Sequence, residues 1–151
     1  MDTAVRERLI QPGERVCRTV RYSREDIARF AELTGDRNPL HTDSRAAERA
    51  RFGEIIASGQ QTAALMMGQL ASHFSRDDDG VPREMLCLNF NFAFKHPVFA
   101  DQDIELAWTV SAAQWHPKLG GMLGQLDGTA GVRHAPPSVV ARGTILVKLA
   151  A

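Results

Sequence analysis

Between Ser58 and Phe74 the sequence SGQQTAALMMGQLASHF contains no Asp, Glu, Lys or Arg. Ser58 and Gln61 have the S-x-x-Q spacing of a capping box, which predicts a helix beginning just after Ser58. Its apolar residues, Ala63, Ala64, Leu65, Met66, Met67, Leu70, Ala71 and Phe74, surround the helix instead of forming one stripe. A helix of that kind must be buried on most of its sides. The rest of the chain therefore has to wrap it.

The wrapping is legible further on. Residues 86–94 alternate, with Leu86, Leu88, Phe90, Phe92 and Phe94 expected on one face. Ile104, Leu106, Trp108 and Val110 repeat the pattern, as do Val139, Ala141, Ile145, Val147 and Leu149 within 138–149. A glycine-rich strand is expected at about 119–131. Alternation with short turns argues for antiparallel pairing, one face buried and the other polar. Before the long helix, residues 14–22 read as a strand, with Val16, Val20 and Tyr22 on one side. Ser23 and Asp26 open an amphipathic helix with Ile27, Phe30, Ala31 and Leu33–Thr34 as its apolar face, and Gly35 is its expected stop. Asp43 or Ser44 can cap a short helix reaching about Arg51. The fold class is α+β: a curved antiparallel sheet around one long apolar helix, the hot-dog arrangement. At 151 residues, without repeats or linkers, the chain reads as a single domain over 1–151 with its core at about 14–149.

Charge removes several functions. Eighteen Lys and Arg balance eighteen Asp and Glu, so the basic footprint of a nucleic-acid binder is missing. Nothing approaches a membrane span, and the first residues, Met1-Asp2-Thr3-Ala4, lead into charge without an apolar stretch; a cytoplasmic protein is expected. Cys17 and Cys87 have no metal-ligand spacing and are expected to be reduced thiols. His73, His96, His116 and His134 likewise suggest no metal site.

Two short segments carry candidate chemistry. In Asp36-Arg37-Asn38-Pro39-Leu40-His41 a carboxylate and an imidazole flank a rigid Asn-Pro turn. A turn can bring them together as a proton-transfer pair near neutral pH, although Asp36 could equally satisfy turn amides and His41 could be a surface residue. At Ser58-Gly59, the first helical N–H has no intrahelical partner and sits in the positive end of the helix dipole. Glycine lets a ligand approach that amide closely, which suits an oxygen gaining negative charge; an ordinary capped helix is the alternative.

On these residues the chain resembles the MaoC-like, single hot-dog family of (R)-specific enoyl-CoA hydratases. Asp36-Arg37-Asn38-Pro39-Leu40-His41 matches the D-x-N-P-L-H motif, Phe52-Gly53 and Ile56-Ala57-Ser58-Gly59 match F-G…I-A-x-G, and Phe94-Lys95-His96-Pro97-Val98 with Asp101 is similar to F-x-x-P-V-x-x-x-D. The resemblance implies reversible hydration of a trans-2-enoyl thioester to the (R)-3-hydroxyacyl thioester. Asp36 and His41 would be the catalytic pair. Asn38, Gly59 and Ser58 would bind substrate, with the Gly59 amide on the thioester oxygen and Asn38 holding water or the loop. Coenzyme A is the expected carrier, acyl carrier protein the second choice, and no metal or redox cofactor is implied. Two positions depart from the family pattern: Ser58 stands where His is common, and Met67 where some members have a serine near the carboxylate.

Two other functions are open to a hot-dog chain. Many hot-dog thioesterases place a carboxylate on the central helix, which 58–74 lacks. A non-catalytic acyl-binding subunit would have little use for both Asp36 and His41. Exposed sheet edges and an open end of the helix lead to the expectation of a homodimer.

Overall fold

The computed structural model describes residues 2–151. Five strands form one antiparallel sheet in the order β1-β3-β4-β5-β2: β1 (Arg15–Arg21), β2 (Arg83–Phe94), β3 (Asp103–His116), β4 (Gly121–Gly131) and β5 (Val139–Leu149). The long helix α4 (Gly59–His73) lies against its inner face; α2 (Arg24–Thr34) and the short α3 (Ser44–Arg49) precede it, and α1 (Thr3–Leu9) opens the chain. This is the α+β hot-dog arrangement that the alternation predicts.

The inner face follows the period-two pattern most closely in β3, where Ile104, Leu106, Trp108 and Val110 are all buried. Facing them, Met66 and Leu70 of α4 are fully buried. The glycines of β4 and β5 have a spatial job: a Cβ at Gly124 would come within 2.5 Å of Ile10, one at Gly128 within 2.5 Å of Trp108, and one at Gly143 within 2.3 Å of Phe90. Bare backbone at these positions lets large side chains lie flat on the sheet.

Three expectations need correction. In β2 the pairing register shifts between Cys87 and Asn89, leaving Leu88 as an extra residue opposite β5. A bulge moves the strand by one residue and reverses which face each side chain takes. Leu86 and Leu88 consequently point outward, 58% and 48% exposed, while Met85, Phe90 and Phe92 pack on the core. In α2, Ile27 and Ala31 are buried, but Leu33 is 82% exposed because it lies off the helix face that carries those two residues. The core also begins earlier than residue 14, since Leu9 and Ile10 are buried. α4 is covered on most sides, as expected: of its fifteen residues Gln60, Ala64, Gly68, Ala71 and Ser72 are exposed, and the others are buried or half-buried.

The N-terminal helix is fastened by one buried guanidinium. The Arg83 side chain, fully inaccessible, donates to the carbonyls of Leu9, Arg76, Val81 and Arg8 and forms a bidentate pair with Asp79 at 2.8 and 2.6 Å. Hydrogen bonding from Arg83 holds the Asp79 carboxyl far below the usual carboxylate range, against a smaller opposing effect of burial. Nearby, Glu14 is bonded to His73 at 3.0 Å and Arg76 at 3.1 Å. Burial alone would raise the Glu14 pKa, but these partners and the Gln11 amide outweigh it and the net direction is down. Both groups release their protons more readily folded than unfolded. Their contribution to stability is thus complete above the unfolded carboxylate range, about pH 4–5, and is lost as pH falls through the lower folded values. Asp79→Asn should lower the melting temperature at pH 7 and flatten its decline between about pH 4 and pH 2. A variant that melts with the wild-type pH dependence would show that this pair does not carry the acid sensitivity.

Candidate active site

The 36–41 segment is held by backbone geometry at both ends. Gly35 takes a left-handed conformation (φ 73°) after α2, and the Asp36 amide bonds back to the Ala31 carbonyl at 2.9 Å. That closure aims the Asp36 side chain past the end of α2. Asn38 then caps a 3-10 turn, Pro39–His41, its side chain accepting from the Leu40 amide at 3.1 Å. The turn is stitched to the segment before α4 by the Ile56 amide, which donates to the Leu40 carbonyl at 3.2 Å.

This stitching fixes the His41 imidazole. Its Nδ1 lies 2.6 Å from the Ile56 carbonyl oxygen, which can only accept, so Nδ1 carries a proton. Nε2 is left facing Asp36, 3.3 Å from Oδ2. The His41 side chain is 7% exposed and that of Asp36 24%. With Nδ1–H committed, Nε2 and the carboxylate lie side by side, close enough to share one proton or to hold one water together.

Both side chains line a cavity of about 600 Å³ whose walls also include Ala57, Ser58, Gly59, Gln60, Phe94 and Val98. The Ala57 amide bonds to the Val98 carbonyl at 2.8 Å, which ties the start of α4 to the segment after β2. Ser58 caps α4 as expected, its hydroxyl accepting from the Gln61 amide at 3.3 Å. Only that half of the capping box forms, because the Gln61 side chain is buried instead of reaching back. The Gly59 amide has no acceptor among the described residues and borders the cavity. A Cβ at Gly59 would approach the Phe94 ring within 2.6 Å, so glycine is what allows Phe94 to cover the helix start.

Of the residues singled out in the sequence, Asp36, His41, Ser58 and Gly59 converge on this cavity. Asn38 does not line it. Its amide donates to Asp36 Oδ1 at 3.0 Å while its side chain caps the turn, so in this chain it holds the loop. The sequence reading missed Gln60, whose Nε2 lies 3.3 Å from Asp36 Oδ2, and left out Arg51 and Lys95, which border the cavity with His96. Met67 is not part of the cavity wall. The only signal for Gln60 was its place directly after Gly59.

Comparison with known proteins bears on this geometry. The family model described as MaoC like domain matches residues 8–122. The chain belongs to the MaoC-like family. Among curated relatives, the MaoC-like chain is 46% identical over 50 residues to the 3-hydroxybutyryl-CoA dehydratase of Methylorubrum extorquens, a match covering 33% of this chain and 32% of that protein. The matched segment thus spans about a third of that relative. It is 27% identical over 103 residues to the (R)-specific enoyl-CoA hydratase of Aeromonas caviae, covering 68% and 72% of the two chains. The solved structure of the (R)-hydratase from A. caviae superposes with a TM-score of 0.78 at 23% identity, over 93% of this chain and 98% of that one, which establishes the shared hot-dog fold. Relatives named as hydratases and dehydratases make this a family of hydro-lyases.

Proposed function

We propose that this MaoC-like protein is an (R)-specific enoyl-CoA hydratase, acting reversibly as a 3-hydroxyacyl thioester dehydratase. The observation that carries the reading is the His41 tautomer: Nδ1 bound to the Ile56 carbonyl, Nε2 turned to Asp36, and both beside the unpartnered Gly59 amide. In the hydration direction a water held by the pair loses one proton to it, and the oxygen bonds to C3 of the enoyl thioester. The electron pair of the C2–C3 double bond moves toward the carbonyl, and the thioester oxygen gains negative charge against the Gly59 N–H. The pair then returns one proton to C2, so one water is consumed and neither residue changes. A helix N-terminal amide stabilises such an oxygen where charge develops, and a placed acid–base pair lowers both proton-transfer barriers. No metal or redox cofactor has a step in this scheme.

Arg51 and Lys95 at the cavity border suit the phosphates of coenzyme A, and neither is engaged in an ion pair among the described residues. The proposal is tested by the loss of conjugated-enoyl absorbance when the protein meets crotonyl-CoA and then a longer 2-enoyl-CoA. Turnover giving the (R)-3-hydroxyacyl product supports it; a folded protein inert toward both, and toward the same acyl groups on carrier protein, overturns it.

The working form is proposed to be a homodimer. The open face of α4, formed by Ala64, Gly68 and Ala71, carries no charge, and the outer edge of β2 is unpaired with Leu86, Leu88 and Phe94 exposed. A second copy would cover both. Sedimentation velocity at micromolar concentration should show a dimer, and Ala64→Glu should shift it to monomer. A wild-type protein sedimenting as monomer alone would refute the assembly.

A further inference from the structure

The Asp36 carboxylate is held by more than its own loop. Oδ1 takes the Asn38 amide at 3.0 Å, whereas Oδ2 faces both His41 Nε2 and Gln60 Nε2, each at 3.3 Å. The orientation of the Gln60 amide group is dictated by its neighbours. Besides Asp36, its Nε2 lies 3.4 Å from Thr34 Oγ1. The Thr34 hydroxyl spends its single proton on the carbonyls of Phe30 and Ala31, at 3.1 and 3.2 Å, so toward Gln60 it can only accept. An ionised carboxylate also only accepts. Both contacts therefore require the amide nitrogen, whose two hydrogens serve two acceptors, and the reverse orientation would set oxygen against oxygen twice.

The position on the helix gives this contact its consequence. Gln60 directly follows Gly59 in the first turn of α4, and Thr34 is the last residue of α2. The Gln60 side chain thus links the end of α2, the carboxylate and the start of α4. It thereby joins Asp36 to the residue next to the Gly59 amide.

We infer that Gln60 is a positioning residue for the hydration proposed above, locking the Asp36 carboxylate relative to the Gly59 amide through one N–H donated to Oδ2. The inference rests on that functional reading for its kinetic consequence, but the contact itself can be tested without activity. Gln60→Met keeps side-chain length and helix preference while removing the donor. It should lower kcat about 10- to 100-fold, the scale of a hydrogen bond to a charged group, with KM altered less than about threefold and the melting temperature unchanged. Gln60→Glu places a second carboxylate against Asp36. Its activity should be poorer than that of Gln60→Met at pH 7.5 and should recover as pH is lowered, giving an acid-shifted pH–rate profile that Gln60→Met does not share. NMR of the Gln60 side-chain amide gives a reading independent of turnover: Asp36→Asn should shift its Nε2–H resonances, through loss of the charged acceptor. An active enzyme in which Gln60→Met keeps wild-type kcat, or loses only in KM, overturns the inference while leaving the hydratase reading intact. Gln60 amide resonances identical in wild type and Asp36→Asn overturn it whether or not the protein turns over.

Discussion

Asp36→Asn and His41→Ala are each expected to reduce turnover of crotonyl-CoA by about 10²- to 10⁴-fold, the range supplied by one placed acid–base group. Asparagine keeps the shape of Asp36 and its bond to the Asn38 amide, yet it can neither take a proton nor face the imidazole as a charge. Alanine at position 41 removes Nε2 altogether. The two groups sit 3.3 Å apart and, in the proposed mechanism, act on the same water, so the double variant should lose little more than the worse single variant. Folding must be followed alongside, because His41 is buried and its loss frees the Ile56 carbonyl from a 2.6 Å bond. Replacement by Gln at position 41, which can still donate to that carbonyl, separates the two effects: it should melt closer to wild type and remain inactive. Turnover within tenfold of wild type in either Asp36→Asn or His41→Ala would remove that residue from the mechanism.

Much of this arrangement is legible in the sequence because it depends on local rules. Gly35 after an amphipathic run, Asn38 before Pro39, and Ser58 before an uncharged helix each specify a helix end or a turn without reference to the rest of the chain. The inner face of β3 is equally clear, since alternation alone marks Ile104, Leu106, Trp108 and Val110; in β5 it marks Val139 to Val147 but misplaces Leu149, which is exposed, and Leu146, which is buried. Where the reading failed, the cause was a relation between distant segments. The bulge at Leu88 answers to the partner strand β5, and nothing within 86–94 reveals it. Leu33 belongs to an apolar-looking helix face, but α2 is buried along a narrower line, through Ile27 and Ala31, than its composition suggests. Gln60 is polar in a stretch read for its apolar residues, and its role depends on Thr34 and Asp36 arriving from another helix. The exposed stripe of α4 has a related origin: Gln60, Ala64, Gly68 and Ala71 are as free of charge as the buried residues, so composition alone does not mark them off.

The largest effect on stability is expected at Trp108→Ala, at about 3–5 kcal/mol, the usual range for emptying an aromatic core site. Trp108 is buried in the middle of β3, with its ring edge-on to Phe90 and Phe92 at centroid distances of 5.8 and 6.4 Å. Its Nε1–H donates to the Met66 carbonyl at 2.9 Å, joining the sheet to the middle of α4. The indole therefore fills space and also fixes the rotation of the helix whose first residue is Gly59. Trp108→Phe keeps an aromatic ring but gives up the indole donor, so it should cost less than alanine. Gly128 supplies the decisive control. A Cβ there would lie 2.5 Å from the indole, so Gly128→Ala should destabilise the wild-type protein by about 1–3 kcal/mol through overpacking. With Trp108 already replaced by alanine, that methyl group enters the vacated space, and the same substitution should become close to neutral. Urea unfolding of the four proteins at one fixed concentration measures this coupling directly. Additive costs would mean that the indole and the bare backbone of Gly128 do not share their contact in solution.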